Sequence, residues 1–514
     1  MLDDIQHFRL PEPPPAGDLR ASGVTLLFGG LTESHERLVE GAWEALGYRV
    51  KSLPVPDNEA LAIGREYGNR GMCNPAYYTI GNLIRFLFRL RQAGVPDIEE
   101  RFAYVTAGSC GPCRFGMYEA EYRRSLAQAG FPRFRILVIQ QAEGLKPSPS
   151  HAGALLERPF LLGLIRALMV GDILNELGHA LRPYECERGS VDAALDEGRR
   201  WLYWALRDRE SPVPALRRLR RRLDEVAVDY LRVCPKVKIT GEFWAQTTEG
   251  DGSYRMARWL EGEGAEVLVE PVGTWIEYLL WTRLQRSRDR RGLPQEGRES
   301  HSGLGELRLR VGEVLFNSVY NTYRAAVGFR TEPLASIDAL ARYAHEYYNT
   351  RITGGEAFLE VAKTIDSVRR RKAHMIVSIK PFGCMPSTQS DGVQVKVLAD
   401  HPEALFVSVE TSGDSEVHVR SRVLMVLREA RERARLEFES TARKLGFAEI
   451  AQGARPADLP RPPAMMRLPR REIATATNYL WWLKRPAVLR PLPVPSEMLT
   501  EALRRYRKDP EAGE

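Results

Sequence analysis

The sequence predicts an α/β fold with two doubly wound parallel sheets, a helical insert between them and an irregular C-terminal tail. Short apolar runs that end in glycine, such as GVTLLFGG at residues 23–30, are typical of buried parallel strands. Segments with helical spacing alternate with these runs, which favours a parallel sheet with helices on both faces. The alternation stops near residue 157 and resumes near residue 234, so a strand-free segment separates two units.

The first unit is expected to span residues 1–157. It opens with a proline-rich leader, and the apolar run at residues 23–30 is its first strand. The sequence TESH at residues 32–35 provides capping side chains for the helix that follows. The remaining predicted elements are strands at residues 48–55, 102–106 and 134–139 and helices at residues 58–67, 74–90 and 114–129.

Residues 158–233 are predicted to form a helical insert, because helical spacing recurs there without any strand pattern. The most apolar stretch of the insert, Pro159–Leu177, is interrupted by Arg166 and Asp172. It therefore falls short of the roughly 20 apolar residues that a membrane span needs. We expect a buried helix and no membrane association.

The second unit is expected to span residues 234–442 and the tail residues 443–514. From Gly453 the tail is rich in proline and arginine, so we expect it to be partly extended and to wrap a neighbour. The predicted elements of the second unit are strands at residues 237–240, 266–269, 375–379 and 405–409, helices at residues 254–261, 391–398 and 416–442, and several helices between residues 275 and 371.

Composition narrows the possible partners. The 514 residues have a net charge of +7, and the densest basic cluster, Arg217–Arg222, is interspersed with leucines at helical spacing. This pattern favours a solvated helix face over a docking patch for an acidic partner, so we expect no nucleic-acid partner. The N-terminal residues lack the basic and apolar regions of a signal peptide. With six cysteines and no export signal, we expect a cytoplasmic protein whose cysteines bind metal or act as redox groups.

Three segments place cysteine beside glycine and proline at a strand end or helix start. They are RGMCNP with Cys73, AGSCGPC with Cys110 and Cys113, and IKPFGCMPS with Cys384. Loops at the carboxyl ends of parallel strands converge on one crevice, so cysteines from two units can meet there. The positive end of a helix dipole stabilises a thiolate, which favours metal binding.

Spacing alone leaves four interpretations of these cysteines open. Thiolates scattered over two units suit an iron–sulfur cluster at an interface, whereas structural zinc sites usually pair two Cys-x-x-Cys units. The tetrapeptide CGPC at residues 110–113 is also that of thioredoxin-like dithiols, although a thioredoxin fold would not place a parallel unit before it. The fourth interpretation is that the cysteines are unrelated. Cys186 and Cys234 lie outside such loops and are expected to be buried structural thiols.

These loops resemble the iron–sulfur subunits of 2-hydroxyacyl-CoA dehydratases, and more closely the dehydratase-like module of CoA-enzyme activase proteins. GPCRFG and PFGCMPS are the most specific matching motifs. The similar stretches span most of residues 23–435 and include PDNEALAIGREYGNRGMCNPAY, SCGPCRFGMYEAEYRRSLAQAGF, KVKITGEFWAQTTEGDGSYRM and IKPFGCMPSTQSDGV.

The resemblance implies two flavodoxin-like domains that hold a [4Fe-4S] cluster on Cys73, Cys110, Cys113 and Cys384. It also implies a dimer and a partner, an actin-like ATPase activator with its own iron–sulfur cluster that drives a low-potential electron into this component. A CoA thioester is the candidate substrate. If all four cysteines bind, the cluster is closed and the chain is an electron carrier or accessory subunit. If three bind, one iron stays open and the chain is a reductase or dehydratase-like enzyme.

Polar residues near the predicted cluster have two interpretations. Glu242 and Glu410 follow strands at the carboxyl ends where the cluster is expected, so either could move a proton beside a reduced substrate. The alternative is that they cap a helix or pair with arginine. Ser387 and Gln389 lie just after Cys384, where we expect a helix cap that also donates hydrogen bonds to cluster sulfurs.

Overall fold

A computed structural model describes residues 19–20, 23–109, 111–140, 146–147, 158–290, 303–453 and 462–485 of the chain. Within these ranges the chain forms an α/β fold with two separate sheets whose main strands are all parallel, as the sequence predicts. Each sheet repeats one order: the strand that comes first in its unit lies between the second and the third. This doubly wound order creates a crevice at the carboxyl ends of the strands of each sheet.

The first sheet has the order β2-β1-β3-β4-β5, and only the short edge strand β5 is antiparallel to its neighbour. The apolar side chains of β1 are buried because helices cover both faces of the sheet. The strands are β1 (Thr25–Phe28), β2 (Arg49–Ser52), β3 (Phe102–Gly108), β4 (Arg135–Gln140) and β5 (Lys146–Pro147).

The helices of the first unit begin where capping residues predict. The Thr32 side chain accepts a hydrogen bond from the His35 backbone N–H at the start of the first helix. The predicted helix at residues 114–129 instead opens with a 3₁₀ turn over Arg114–Met117, and its α-helical part begins at Tyr118. The helices are α1 (Glu33–Glu44), α2 (Asn58–Tyr67), α3 (Asn74–Gln92), α4 (Ile98–Arg101) and α5 (Tyr118–Gln128).

The insert is helical, as predicted, and shares one core with the first unit. The Phe160 ring stacks on Trp43 of α1 with the ring centroids 4.2 Å apart. In the arginine-rich helix the interspersed leucines, among them Leu219, are buried, and arginines such as Arg221 lie on the exposed face, as the spacing predicts. The insert helices are α6 (Arg158–Leu181), α7 (Ser190–Arg207) and α8 (Pro212–Asp224).

The second sheet is parallel throughout and has the order β7-β6-β8-β9. Its central strand β8 is buried on both faces, so its sequence MIVSIKP lacks the alternation of a half-exposed strand. The strands are β6 (Lys236–Gly241), β7 (Glu266–Leu268), β8 (Met375–Pro381) and β9 (Phe406–Thr411).

One helix of the second unit differs from the prediction in a way that matters for the site. The helix after β8 begins at Met385 rather than at Asp391, because Cys384 is its N-cap and Pro386 is accommodated in its first turn. The helices are α9 (Phe243–Thr247), α10 (Met256–Gly262), α11 (Val272–Asp289), α12 (Gly303–Ala326), α13 (Ile337–Ala344), α14 (Ala357–Arg369), α15 (Met385–Asp400), α16 (Glu416–Leu445) and α17 (Ala448–Ala451).

The tail contains a buried helix, α18 (Thr475–Leu483), where the sequence led us to expect extended chain. Its apolar sequence TATNYLWWL packs into the core, and the Thr475 hydroxyl donates to Glu266 Oε2 over 2.6 Å. The sequence predicts a tail that is partly extended, and residues 475–483 are a helical part of it that was not predicted. Residues 454–461 and 486–514 of the tail lie outside the described ranges. Of the helices that the structure describes, none is both long and apolar enough to cross a membrane.

Helix α3, which follows Cys73, is held against α2 by glycines at the helix contact. A Cβ atom added at Gly81 would lie 1.8 Å from Ala60 O, and one added at Gly64 would lie 1.8 Å from Tyr77 O. No such atom fits, so the two backbones approach each other as only glycine allows.

We therefore expect Gly81→Ala to lower the free energy of unfolding by about 3 kcal/mol, because the new methyl group forces the two helices apart. Gly312→Ala in α12 is the control. No atom lies within 4 Å of its added Cβ, so it should stabilise by roughly 0.5–1 kcal/mol through helix propensity. Urea unfolding of both variants checks this, and equal effects would contradict the close contact.

Candidate functional site

The carboxyl ends of strands from both sheets face a shared cavity of about 240 Å³. Three of the predicted ligands, Cys73, Cys113 and Cys384, lie in its wall. Cys73 and Cys113 belong to the first unit and Cys384 to the second. The structure thus brings together sulfurs that are far apart in sequence. The fourth predicted ligand, Cys110, lies outside the described residues.

Cys73 is the N-cap of α3 and is fixed by contacts on two sides. Its Sγ lies 3.0 Å from the hydroxyl of Tyr118, which is buried. The next residue, Asn74, donates its backbone N–H to Phe382 O over 3.1 Å and its side-chain amide to Thr411 O over 2.7 Å. The loop of Cys73 is therefore bound directly to the second unit.

Cys113 is attached to the second unit by a backbone hydrogen bond. Its N–H donates to Gly354 O over 3.0 Å. Gly111 has a φ of +126°, and a Cβ atom there would lie 2.7 Å from Thr353 O. The glycine of the CGPC sequence thus permits both the backbone conformation and the close approach of the two loops.

Cys384 completes the group at the end of β8, as the N-cap of α15. Gly383 before it has a φ of +80°, and a Cβ atom there would lie 3.3 Å from the Cα of Cys73. Gly355 also lies close to Cys113, with 3.7 Å between its added Cβ and the cysteine Cβ. Glycines on the second unit therefore allow the cysteine loops to approach one another across the cavity.

The three thiols are held in their neutral form when no metal is bound. Burial raises the pKa of Cys73, Cys113 and Cys384, and the negative charge of Glu242 raises each further. Metal binding would release these protons, since only thiolates bind metal.

The two cysteines outside the cavity differ from each other. Cys234 is buried, as predicted, with its Sγ 3.8 Å from Pro183 O. Cys186 is exposed, so its expected role as a buried structural thiol is wrong. It lies in the turn after α6, where its backbone N–H donates to Ala227 O while its side chain points to solvent.

Two carboxylates share the cavity wall with the cysteines. Glu242 is the N-cap of α9 and accepts a hydrogen bond from Ala245 N over 2.8 Å. Burial raises the pKa of Glu242 to about 7. Glu356 accepts from Phe243 N over 3.1 Å, and burial followed by the charge of Glu242 raises its pKa well above the usual range. Each therefore holds a proton more strongly than an exposed carboxyl does.

Sequence analysis missed Glu356. It follows Gly354 and Gly355 immediately before α14, and this glycine pair was the available signal for a loop pressed against another segment. A third buried carboxylate, Glu360, lies one turn further along α14. It accepts a hydrogen bond from the Ser387 hydroxyl over 2.7 Å, and burial raises its pKa.

The other predicted site residues, Ser387, Gln389 and Glu410, differ in burial and in their hydrogen-bond partners. Ser387 is buried, and its hydroxyl forms a hydrogen bond that lowers the pKa of Cys384, against the larger effect of burial. Gln389 accepts from the Tyr348 hydroxyl over 2.6 Å and does not line the cavity. Glu410 is exposed at the end of β9, also outside the cavity wall.

The rest of the wall is apolar and aromatic. Phe28, Trp43 and Leu164 line it on the side of the first unit. Trp244 and Trp275 line it on the other side, and their indole N–H groups are buried without a partner in the described part of the chain. A pocket with apolar walls and few polar groups excludes water and strengthens electrostatic interactions inside it.

In the residues that the structure describes, no three side chains of His, Cys, Asp or Glu are grouped so as to hold a metal ion. No protein-family model matches the chain, and no curated protein is similar to it.

A buried carboxylate shapes the loop that closes the cavity beside β1. Glu36 accepts hydrogen bonds from Gly30 N over 2.9 Å and Leu31 N over 3.1 Å, and both of these loop residues line the cavity. Burial raises the pKa of Glu36 from 4.5 to about 8, although the two hydrogen bonds act in the opposite direction. The folded protein therefore keeps a proton here that the unfolded chain loses.

We expect this carboxyl to make the protein less stable as the pH rises from 4.5 to about 8, with no further change from Glu36 above that range. Glu36→Gln removes the titration, so its melting temperature should fall less over that interval than the parent's. Thermal unfolding across the interval measures the difference. Parallel curves for the two proteins would show that Glu36 is ionised in the folded state.

Proposed function

We propose that this chain is the iron–sulfur component of an ATP-coupled, low-potential reductase or 2-hydroxyacyl-CoA dehydratase-like system, with a [4Fe-4S] cluster between its two domains. The observation that supports this most is the meeting of Cys73, Cys113 and Cys384 around one cavity. Thiolates are the ligands that iron–sulfur clusters prefer, and far-apart cysteines from two domains suit a cluster at an interface.

No three of the described side chains are grouped closely enough to hold a single metal ion, but three cysteines in the wall of one cavity are the type of donor that a larger cluster takes. Cys73, Cys113 and Cys384 would hold it, and Cys110, in the same tetrapeptide as Cys113, is the candidate fourth ligand. The Tyr118 hydroxyl and the unpartnered indole N–H of Trp244 provide donors of the kind that tune cluster potentials. When bound, a [4Fe-4S] cluster supplies one-electron transfer at low potential and, with an open iron, a site for an oxygen ligand.

The protein's own groups exclude water and hold protons. The aromatic wall keeps water from the reacting atoms, which protects a low-potential species. Burial raises the pKa of Glu242 to about 7 and that of Glu356 well above its usual range, so each holds a proton more strongly than an exposed carboxyl does. The backbone N–H of Phe243 positions Glu356. A carboxylic acid in this state can donate a proton to a reduced substrate.

The actin-like ATPase activator would act in trans and needs access to this site. Three exposed apolar side chains flank the cysteine loops: Met117, Phe382 and Met385, which are 60%, 55% and 40% exposed. Met385 also lines the cavity. Exposed apolar groups beside a redox centre are suited to a transient protein contact.

The dithiol alternative has less support. A catalytic dithiol needs a cysteine with a lowered pKa, at a helix N-terminus or beside a positive charge. Cys110, the first cysteine of the tetrapeptide, lies outside the described residues, and burial raises the pKa of the second, Cys113. The tetrapeptide also follows the third strand of a parallel sheet, which is not its place in a thioredoxin fold. An electron carrier without a substrate, or an accessory subunit, remains the second candidate function, because a fourth cysteine is available to close the cluster.

Protein purified without air should be brown and contain roughly four iron atoms per chain, as a [4Fe-4S] cluster requires. Cys73→Ser, Cys113→Ser and Cys384→Ser should each lose most of the iron, because each removes a ligand. Cys234→Ser and Cys186→Ser are matched controls that should keep it. Iron analysis with visible spectroscopy measures the result, and a colourless parent protein or full iron in Cys384→Ser would overturn the proposal.

Electron paramagnetic resonance of the reduced protein separates the enzyme from the carrier. With an open iron, a CoA thioester should change the cluster signal, and Cys110→Ser should leave the iron content near that of the parent. An unchanged signal together with iron loss in Cys110→Ser would assign the chain as a carrier with a closed cluster.

A further inference from the structure

The cysteine cavity is the first of three adjoining cavities at the interface of the two units and the insert. A cavity of about 20 Å³ lies behind it and shares Phe243, Trp275 and Glu356 with its wall. A third cavity, of about 50 Å³, shares Gln246, Thr247, Glu270 and Pro271 with the second. Single residues therefore separate each cavity from the next.

The two outer cavities are large enough for water and polar enough to hold it. A buried water needs roughly 10–15 Å³ and two to four polar partners. The second cavity meets that size for one water and offers Glu356, Glu270 and Lys363 as partners. The third cavity has room for several.

Atoms without partners show where water is required. Gln246 donates its amide N–H to the backbone of Gly241 and Glu242, which leaves its Oε1 buried without a partner. Thr248 Oγ1 and Glu176 Oε2 are also buried without a partner in the described part of the chain. All three residues line the third cavity, and buried polar atoms of this kind are normally satisfied by ordered water.

The charges along the series suit proton movement. Burial lowers the pKa of Lys363, which lines the second cavity. Burial alone would raise the pKa of Glu270, but the charges of Lys238 and Lys363 lower it overall. Oε2 of Glu270 accepts a hydrogen bond from Lys238 over 2.8 Å. Lys363, Glu270 and Glu356 thus line the same small cavity, with the ammonium and carboxyl groups of opposite charge beside each other.

The series reaches the protein surface at the third cavity. Its outer wall includes Arg255 and Arg258, whose side chains are 62% and 45% exposed. Glu249 beside them accepts from Glu33 N over 2.7 Å at an exposed position. Bulk water therefore has access to the outermost cavity.

We propose that these cavities form a hydrated proton route from the surface past Thr248, Gln246 and Glu270 to Glu356 at the cysteine cavity. The proposal rests on the proposed function for its purpose, because reduction of a substrate consumes protons. The side chains that face Glu356 from the surrounding elements are those of Glu242, Glu360, Lys363, Tyr278, Cys113 and Cys384.

The step balances simply. A one-electron low-potential donor supplies the electron, and the O–H bond of the Glu356 carboxyl breaks as a bond from that hydrogen to the reduced substrate forms. The carboxylate then takes a proton from the adjacent water in the second cavity. Each water along the series then regains a proton from the next water outward, and the outermost water takes its proton from the bulk solvent.

The test measures hydrogen–deuterium exchange in the full chain without iron. The indole N–H of Trp275 reports on the second cavity and the carboxyl of Glu356 on its inner end. Nuclear magnetic resonance of tryptophan-labelled protein follows exchange at the Trp275 indole, with Trp275→Phe for assignment. Infrared spectroscopy follows exchange at the Glu356 carboxyl, with Glu356→Gln for assignment. We expect Gln246→Leu to slow both exchanges at least tenfold, because it removes the oxygen that holds water between the two cavities.

Gln394→Leu is the matched control, since Gln394 is a buried glutamine that lines none of the three cavities. Its exchange rates should equal those of the parent. Thr248→Val, a smaller change, provides the same test if Gln246→Leu fails to fold. Unchanged exchange at either reporter in the folded route variants, or equal slowing by Gln394→Leu, would overturn the route. Because no iron is used, this result is independent of whether the chain binds a cluster.

Discussion

Backbone hydrogen bonds between the two units are the constraint on which the site depends. Asn74 N–H bonds to the loop before Cys384, and Cys113 N–H bonds to the loop before Glu356. Each bond fixes a main chain to a main chain, so the distance between the cysteine loops does not depend on flexible side chains. A third link lies nearby, where Asp172 of the insert accepts from Val272 N over 2.7 Å and from Gly273 N over 2.8 Å. Together these bonds make the cavity a property of the interface between the units.

Burial has a consistent electrostatic consequence at this interface. Burial raises the pKa of the thiols and carboxyls of the cavity, so each holds its proton more strongly here than it would in water. The desolvated groups are the cysteines and glutamates that would bind a metal or a substrate under the proposed function, and shifted pKa values are common at reactive sites. Two groups reduce the desolvation penalty of Glu360. The Ser387 hydroxyl donates a hydrogen bond to it, and Lys380 lies close enough that the charge of Glu360 raises the pKa of Lys380, against the larger effect of burial.

Apolar runs ending in glycine were sufficient to predict both sheets, since a strand buried on two faces has few other patterns available. The sequence also placed Cys73, Cys113 and Cys384 at strand ends or helix starts. In the structure Cys113 and Cys384 follow β3 and β8, Cys73 begins α3, and all three line one cavity. Residues that depend on the docking of the units were not predictable. Glu356 lies in the cavity wall beside the Cys113 loop, which bonds to Gly354, whereas Glu410 is exposed and outside the wall. Helix α18 is folded by its burial against the core, which overrides the local proline and arginine content.

The insert has a consequence for the order of assembly. Because α6 stacks on α1 through Phe160 and Trp43, the first unit and the insert share one core, and α11, α12 and α18 join this core later in synthesis. Cys384 is made much later, after the long helical stretch that precedes β8. In a nascent chain, Cys73 and Cys113 are therefore made before the second sheet that covers them. Under the proposed function, a cluster could be enclosed only after that sheet has formed.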